Sequence, residues 1–140
     1  SDAEVATTSG PPIALGEPHC DERGGCVMTF ASTTRLSGRV EAAGTTAGSV
    51  VLGEGGTRFA GSSMTLVDGR TDGCGPGTAV VRGTEAGDLS TGDGGGTWEV
   101  VEGYGGGELA RLRGGGAVAP ADEVAEGEVG LTWRGELDCG

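Results

Sequence analysis

Between positions 129 and 137 the chain sets Val129, Leu131, Trp133, Gly135 and Leu137 at every second place, with Gly130, Thr132, Arg134 and Glu136 between them. Side chains on a β-strand point alternately to its two faces, so a run of this period gathers its apolar groups on one side only as a strand. The pattern recurs along the chain. Val27, Thr29 and Ala31 alternate with Met28, Phe30 and Ser32; Leu36, Gly38 and Val40 with Ser37, Arg39 and Glu41. Met64 and Leu66 oppose Ser63 and Thr65, Ala79 and Val81 oppose Thr78, Val80 and Arg82, and Trp98, Val100 and Glu102 oppose Thr97, Glu99 and Val101; residues 49–52 add a short apolar run. No stretch carries a 3.6-residue period. Residues 108–113 can form one helical turn, but triple glycines on both sides stop it from growing. Strands at this spacing with glycine-rich turns predict an all-β sandwich or barrel, and closure into a barrel removes the exposed edges.

Composition alone leaves room for disorder. Glycine supplies 32 of 140 residues, the net charge is −12, and the aromatics are only Phe30, Phe59, Trp98, Tyr104 and Trp133. The sustained alternation and the four cysteines argue for a folded chain instead. At this length one domain is expected. It is placed at 13–140, behind a flexible segment 1–12 that Pro11-Pro12 keeps from forming a helix. The acidic balance repels phosphate backbones, so no nucleic-acid partner is expected. No run of 18 apolar residues occurs, so no membrane span is expected.

The residue inventory removes several chemistries. Lys, Asn and Gln are absent, so there is no side-chain Schiff base, no P-loop lysine and no N-glycosylation site. A single histidine, His19, cannot build a multi-histidine zinc site and reads as an exposed loop residue. Cys20, Cys26, Cys74 and Cys139 contain no C-x-x-C. The first two flank Asp21-Glu22-Arg23-Gly24-Gly25, a polar loop shaped like a hairpin tip. Of the three pairings that four cysteines allow, Cys20–Cys26 with Cys74–Cys139 is the expected one, free thiols and a metal site being the alternatives. Disulfides imply an oxidising compartment. The polar opening Ser1-Asp2-Ala3-Glu4 then reads as the start of a mature, secreted protein whose leader has been removed.

Glycine richness imitates phosphate loops, but no complete G-x-G-x-x-G lies between a strand and a helix. Asp68-Gly69-Arg70-Thr71-Asp72-Gly73 has the look of a calcium loop, yet Arg70 occupies a ligand position and Ala79 the place of the closing Glu. No metal and no cofactor is expected. An internal repeat is suggested at an offset of 50, where residues 50–60 match 100–110 at six of eleven positions and Phe59 aligns with Leu109. Each unit reads as a strand, a glycine turn and a bulky plug.

Thr97-Trp98-Glu99-Val100-Val101 followed by Gly103-Tyr104-Gly105-Gly106-Gly107-Glu108-Leu109-Ala110-Arg111-Leu112-Arg113-Gly114 resembles the strand-turn-strand signature of a family of small bacterial proteins, a domain of unknown function with an allene-oxide-cyclase-like barrel. Leu36-Ser37-Gly38-Arg39-Val40-Glu41 is similar to that family's early Ser-Gly strand. Gly56-Thr57-Arg58-Phe59-Ala60-Gly61 is similar to a glycine-flanked turn of allene oxide cyclases and dirigent proteins. The likeness covers about residues 27–137. It departs at Gly107, where Thr is usual, at Arg111, where Gly is usual, and in carrying four cysteines. The resemblance implies a single eight-stranded antiparallel barrel with little or no helix, often a homo-oligomer, and implies no activity. No residue of this chain matches the catalytic groups of plant allene oxide cyclases.

Three functions remain in view. The preferred one is a non-catalytic barrel that binds a small hydrophobic ligand or serves a structural role, with Trp98, Val100, Leu131 and Trp133 as the lining. A cyclase or isomerase acting on a hydrophobic substrate is the first alternative. It would draw on Glu102 and Tyr104, which share strand parity with Trp98, and needs Glu102 desolvated at the rim as a general acid. An extracellular protein-interaction module is the second alternative.

Overall fold

The computed structural model describes residues 4–10, 12–53, 55–91, 93–120 and 129–140. Their strands are β1 (Glu4–Gly10), β2 (Pro12–Ala14), β3 (His19–Cys20), β4 (Cys26–Gly38), β5 (Val40–Leu52), β6 (Arg58–Thr71), β7 (Cys74–Asp88), β8 (Asp93–Val100), β9 (Gly106–Gly107), β10 (Arg113–Pro120) and β11 (Val129–Asp138). One 3-10 turn, Glu108–Arg111, is the only helical element among the described residues and sits where the glycine-flanked turn was expected. All strands join one antiparallel sheet in the order β1-β11-β10-β8-β7-β6-β5-β4-β2, with β3 on β4 and β9 on β7.

β1 has a partner along each edge. Thr7 and Thr8 pair with Thr132 and Leu131 of β11, and with Ser37 and Leu36 of β4. Within the segment 1–12, Glu4–Gly10 is thus a strand. Val5, Thr7 and Thr8 are strand-favouring residues, and the Pro11-Pro12 pair that argued against a helix leaves a strand untouched. Three strands also run differently from the sequence reading. The stretch 36–41 holds the tip of the β4–β5 hairpin, with Gly38 at φ +128°, a backbone region that favours glycine. β7 runs well past Val81, to Asp88, and β10 was not foreseen at all.

Buried side chains lie on one face of this sheet: Leu36 of β4, Val40 of β5, Val67 of β6, Val81 of β7, Trp98 of β8, Val118 of β10 and Trp133 of β11. No second sheet or long helix covers that face among the described residues, so the sheet curls to bury it against itself. Glycines permit the curl. The Arg134 carbonyl oxygen lies where a Cβ on Gly116 would go, and the Gly115 carbonyl oxygen where one on Gly135 would go. Only glycine lets β10 and β11 approach so closely, and Gly135 at φ +149° adds a bend that other residues resist.

Burial is graded along the strands. At one end Leu109 and Leu112, in and just after the 3-10 turn, join the core beside Cys74, which is bonded to Cys139. At the other end Phe30, Val50, Phe59 and Leu131 carry the same inward parity but are only half-buried. There the sheet is lined by glycines, and the rings of Phe30 and Phe59 lean onto Gly48, Gly87 and Gly94. The inner face is well covered at the end carrying Leu109 and Leu112, the plugged end, and only partly covered at the other, the open end.

The offset-50 repeat does not survive as structure. Positive φ falls at Gly55 and Gly56 in the first unit but at Gly103 and Gly107 in the second. Phe59 is a strand residue and Leu109 belongs to the 3-10 turn.

Candidate functional site

Trp98 and Trp133 meet at the boundary between the plugged and the open half. Their ring centroids are 5.4 Å apart with planes inclined by 30°, an offset stack of the kind aromatic pairs favour. Trp98 crosses the inner face, and its Nε1–H donates to the Arg134 carbonyl at 3.0 Å. Gly116, paired to Trp98 in the neighbouring strand, and Gly135 beyond it leave the inner face free of side chains along that crossing. Trp133 is nearly as deep, with 7% of its surface exposed, but its Nε1–H has no hydrogen-bond partner among the described residues. A buried donor left unpaired costs about 1–3 kcal/mol.

Beside the two indoles lies a cavity of about 30 Å³, space for about two waters. Its apolar wall includes Val81, Val118 and Leu131, and its polar wall Ser63, Thr65 and Glu85. Thr65 closes an internal ladder of hydroxyls: Thr34 Oγ1 and Thr46 Oγ1 are 2.6 Å apart, Thr46 Oγ1 and Thr65 Oγ1 2.8 Å. Glu85 sits half-buried on β7 with the inward parity of Ala79 and Val81. Burial pushes its carboxyl above the ordinary glutamate value.

Of the residues singled out from sequence, Trp98, Leu131 and Trp133 share this cavity. Val100 does not line it, and instead packs half-buried against the core. Glu102 and Tyr104 lie elsewhere. β8 ends at Val100, the chain turns through Gly103 at φ +91°, and the strand parity that linked them to Trp98 is lost. Glu102 forms an exposed ion pair with Arg113 Nε at 2.9 Å, and Tyr104 is 73% exposed. Neither shares the inner face with Trp98. Glu85, Ser63 and Thr65 were missed. Carrying the Ala79, Val81 alternation two steps further, through Gly83, would have reached Glu85.

The cysteines pair as Cys20–Cys26 and Cys74–Cys139, with Cα atoms 4.0 Å and 5.7 Å apart. His19 is exposed on β3 beside the first bridge. Among the described residues no three His, Cys, Asp or Glu side chains gather closely enough to hold a metal ion, and no helix is long and apolar enough to cross a membrane.

No family model matches the sequence, and no curated protein matches it. A solved structure does match the fold. It is the crystal structure of a protein of unknown function from the DUF3224 family of Shewanella oneidensis MR-1, with a TM-score of 0.61 over 94% of this chain and 96% of that one. At 18% identity the likeness shows a shared fold. It supports the similarity to an uncharacterised bacterial domain expected from sequence.

Proposed function

We propose that this chain is a secreted, disulfide-stapled β-barrel of the allene-oxide-cyclase-like and dirigent-like kind, which binds a small hydrophobic molecule through the open end of its lumen and acts as a binding protein rather than an enzyme. What supports closure is a row of paired residues that returns to its own strand. From Met28 it passes through Val50, Gly61, Glu85, Gly96, Val118, Trp133 and Ala6 to Gly38, back on β4 ten residues further along (38 less 28). An eight-stranded ring staggered in this way has an interior that side chains fill or that holds one small ligand. The two disulfides support export, because such bonds persist in oxidising compartments.

The single observation that carries the binding reading is the cavity against Trp98 and Trp133, beneath a half-buried end lined by Phe30, Val50 and Phe59. Burial that stops halfway along an inward face leaves apolar surface for a guest to cover. The test is a titration with medium-chain alkanes, alcohols, ketones and an apolar fluorescent dye, read by tryptophan emission and by melting temperature. The expected result is a saturable change in emission with a raised melting temperature for some of them. Silence across the panel in both readouts refutes the reading.

One observation favours the interaction-module alternative. Val27, Val51, Met64 and Leu66 stand 43–55% exposed on the outer face of β4 to β6. That reading predicts self-association in sedimentation that Leu66→Arg abolishes; a monomer at all concentrations removes its homo-oligomeric form.

A further inference from the structure

We propose that the inner end of this binding site is a recognition pocket for a neutral carbonyl oxygen, so that the ligand is a small apolar ketone, aldehyde or ester that enters oxygen first. The inference rests on the lumenal-binding reading and adds the chemical class of the guest.

The polar wall of the cavity is rich in donors. Trp133 brings a buried N–H with no partner among the described residues, and an indole can only donate. Thr65 ends the ladder of three hydroxyls. Two hydrogen bonds join them; donated from Thr34 towards Thr65, they leave the Thr65 hydroxyl proton for a further acceptor in the cavity. Ser63 adds another hydroxyl. Glu85 also lines the wall, half-buried, with burial pushing its carboxyl above the ordinary glutamate value.

Charged and purely hydrocarbon head groups each fail on one of these facts. An ammonium carries no acceptor for the Trp133 N–H. A carboxylate or phosphate brings a negative charge into a low-dielectric site beside Glu85, in a protein already at −12. A plain hydrocarbon leaves the indole N–H unpaired. A neutral carbonyl oxygen offers two lone pairs and no charge. The size agrees, since about 30 Å³ accommodates a head group rather than a whole molecule. The apolar remainder would lie toward Leu131 and the half-buried end.

The experiment compares methyl hexyl ketone, octane and octylamine on nitrogen-15-labelled protein. The chain has two tryptophans, hence two indole N–H signals. That of Trp98 already donates to a backbone carbonyl and serves as the internal reference. The ketone is expected to bind about tenfold more tightly than octane, the worth of one good hydrogen bond, while the amine gains nothing. It should move the Trp133 indole signal and leave that of Trp98 in place. Trp133→Phe should bring ketone affinity down to the octane level without changing that of octane. If ketone and octane bind alike, or the ketone binds without moving the Trp133 indole signal, the carbonyl pocket is refuted while lumenal binding stands. If none of the three binds, both fall. The indole readout uses the unaltered protein, so the outcome stands even if the variant does not fold.

Discussion

Removing the Cys74–Cys139 bridge should cost about twice as much stability as removing Cys20–Cys26. The cysteines of the first are 65 residues apart in sequence, those of the second six. A cross-link takes entropy from the unfolded chain in proportion to the logarithm of the loop it closes. With the usual chain-entropy expression this comes to about 4 kcal/mol for the long loop and about 2 kcal/mol for the short one at 25 °C. Packing widens the gap. Cys74 is 6% exposed in the core cluster, so Cys74→Ala also leaves a small void, worth about 1 kcal/mol more. Cys20 is exposed and Cys26 half-buried at a hairpin tip, where truncation leaves little behind. The long bridge ties the start of β7 to the residue after β11, two strands with β8 and β10 between them in the sheet. It therefore fastens the plugged end beside Leu109 and Leu112. The assay is urea unfolding of the two double-alanine variants, followed by tryptophan emission, with midpoints compared at equal slope. The expected difference between the variants is about 2–3 kcal/mol. Equal losses, or a larger loss at the short bridge, would refute the reasoning.

Further outcomes follow from the same geometry. Glu85 holds its proton more firmly folded than unfolded, so its contribution falls as pH rises from the unfolded value near 4.5 through the raised folded one. Glu85→Gln should remove that slope, giving a variant more stable than the parent at pH 7 but not at pH 4 in paired denaturation curves. Asp88 runs the other way, held low by the Ser90 hydroxyl and amide, and its slope should persist in both proteins. Gly116→Val drives a side chain into the Arg134 carbonyl and should cost at least about 2 kcal/mol by urea titration. Gly103→Ala meets open space but a left-handed backbone, and should cost only about 1 kcal/mol. Glu102→Gln and Tyr104→Phe should each change stability by less than about 0.5 kcal/mol and leave ligand affinity untouched; a tenfold affinity loss from either would return them to the site.

The all-β architecture was legible because its cause is local. Alternation such as Leu131, Trp133, Gly135, Leu137 states which face of a strand is covered, and the structure buries Trp133 and Gly135 accordingly. The disulfide pairing was legible for a similar reason, since the Asp21 to Gly25 loop can bring its flanking cysteines together by itself. β10 was hidden because four of its first five positions, Arg113-Gly114-Gly115-Gly116-Ala117, are glycine or alanine and carry no hydropathy signal. Those glycines exist for what passes over and beside them, the Trp98 ring and β11, and such a demand is invisible along one strand. Glu102 misled because strand parity was extended past a turn, while Glu85 was overlooked because a charged residue ending an apolar run reads as solvated. Its partial burial comes from curvature, which depends on every strand at once. β1 was lost to a prior about chain ends; its two neighbours lie about 30 and 125 residues away in sequence, at Ser37 and Thr132 opposite Thr7.

The most direct test of the account is the exchange of backbone amide hydrogens at residues 6–9. A strand with a neighbour on one side only leaves every second N–H facing solvent, whereas a strand enclosed on both sides has none free. Closure of the lumen by β1 predicts slow exchange at four consecutive amides, Ala6, Thr7, Thr8 and Ser9, comparable to those in the middle of β6. Alternating fast and slow exchange along the same four residues would leave the sheet open at β1 and contradict the barrel on which ligand binding depends.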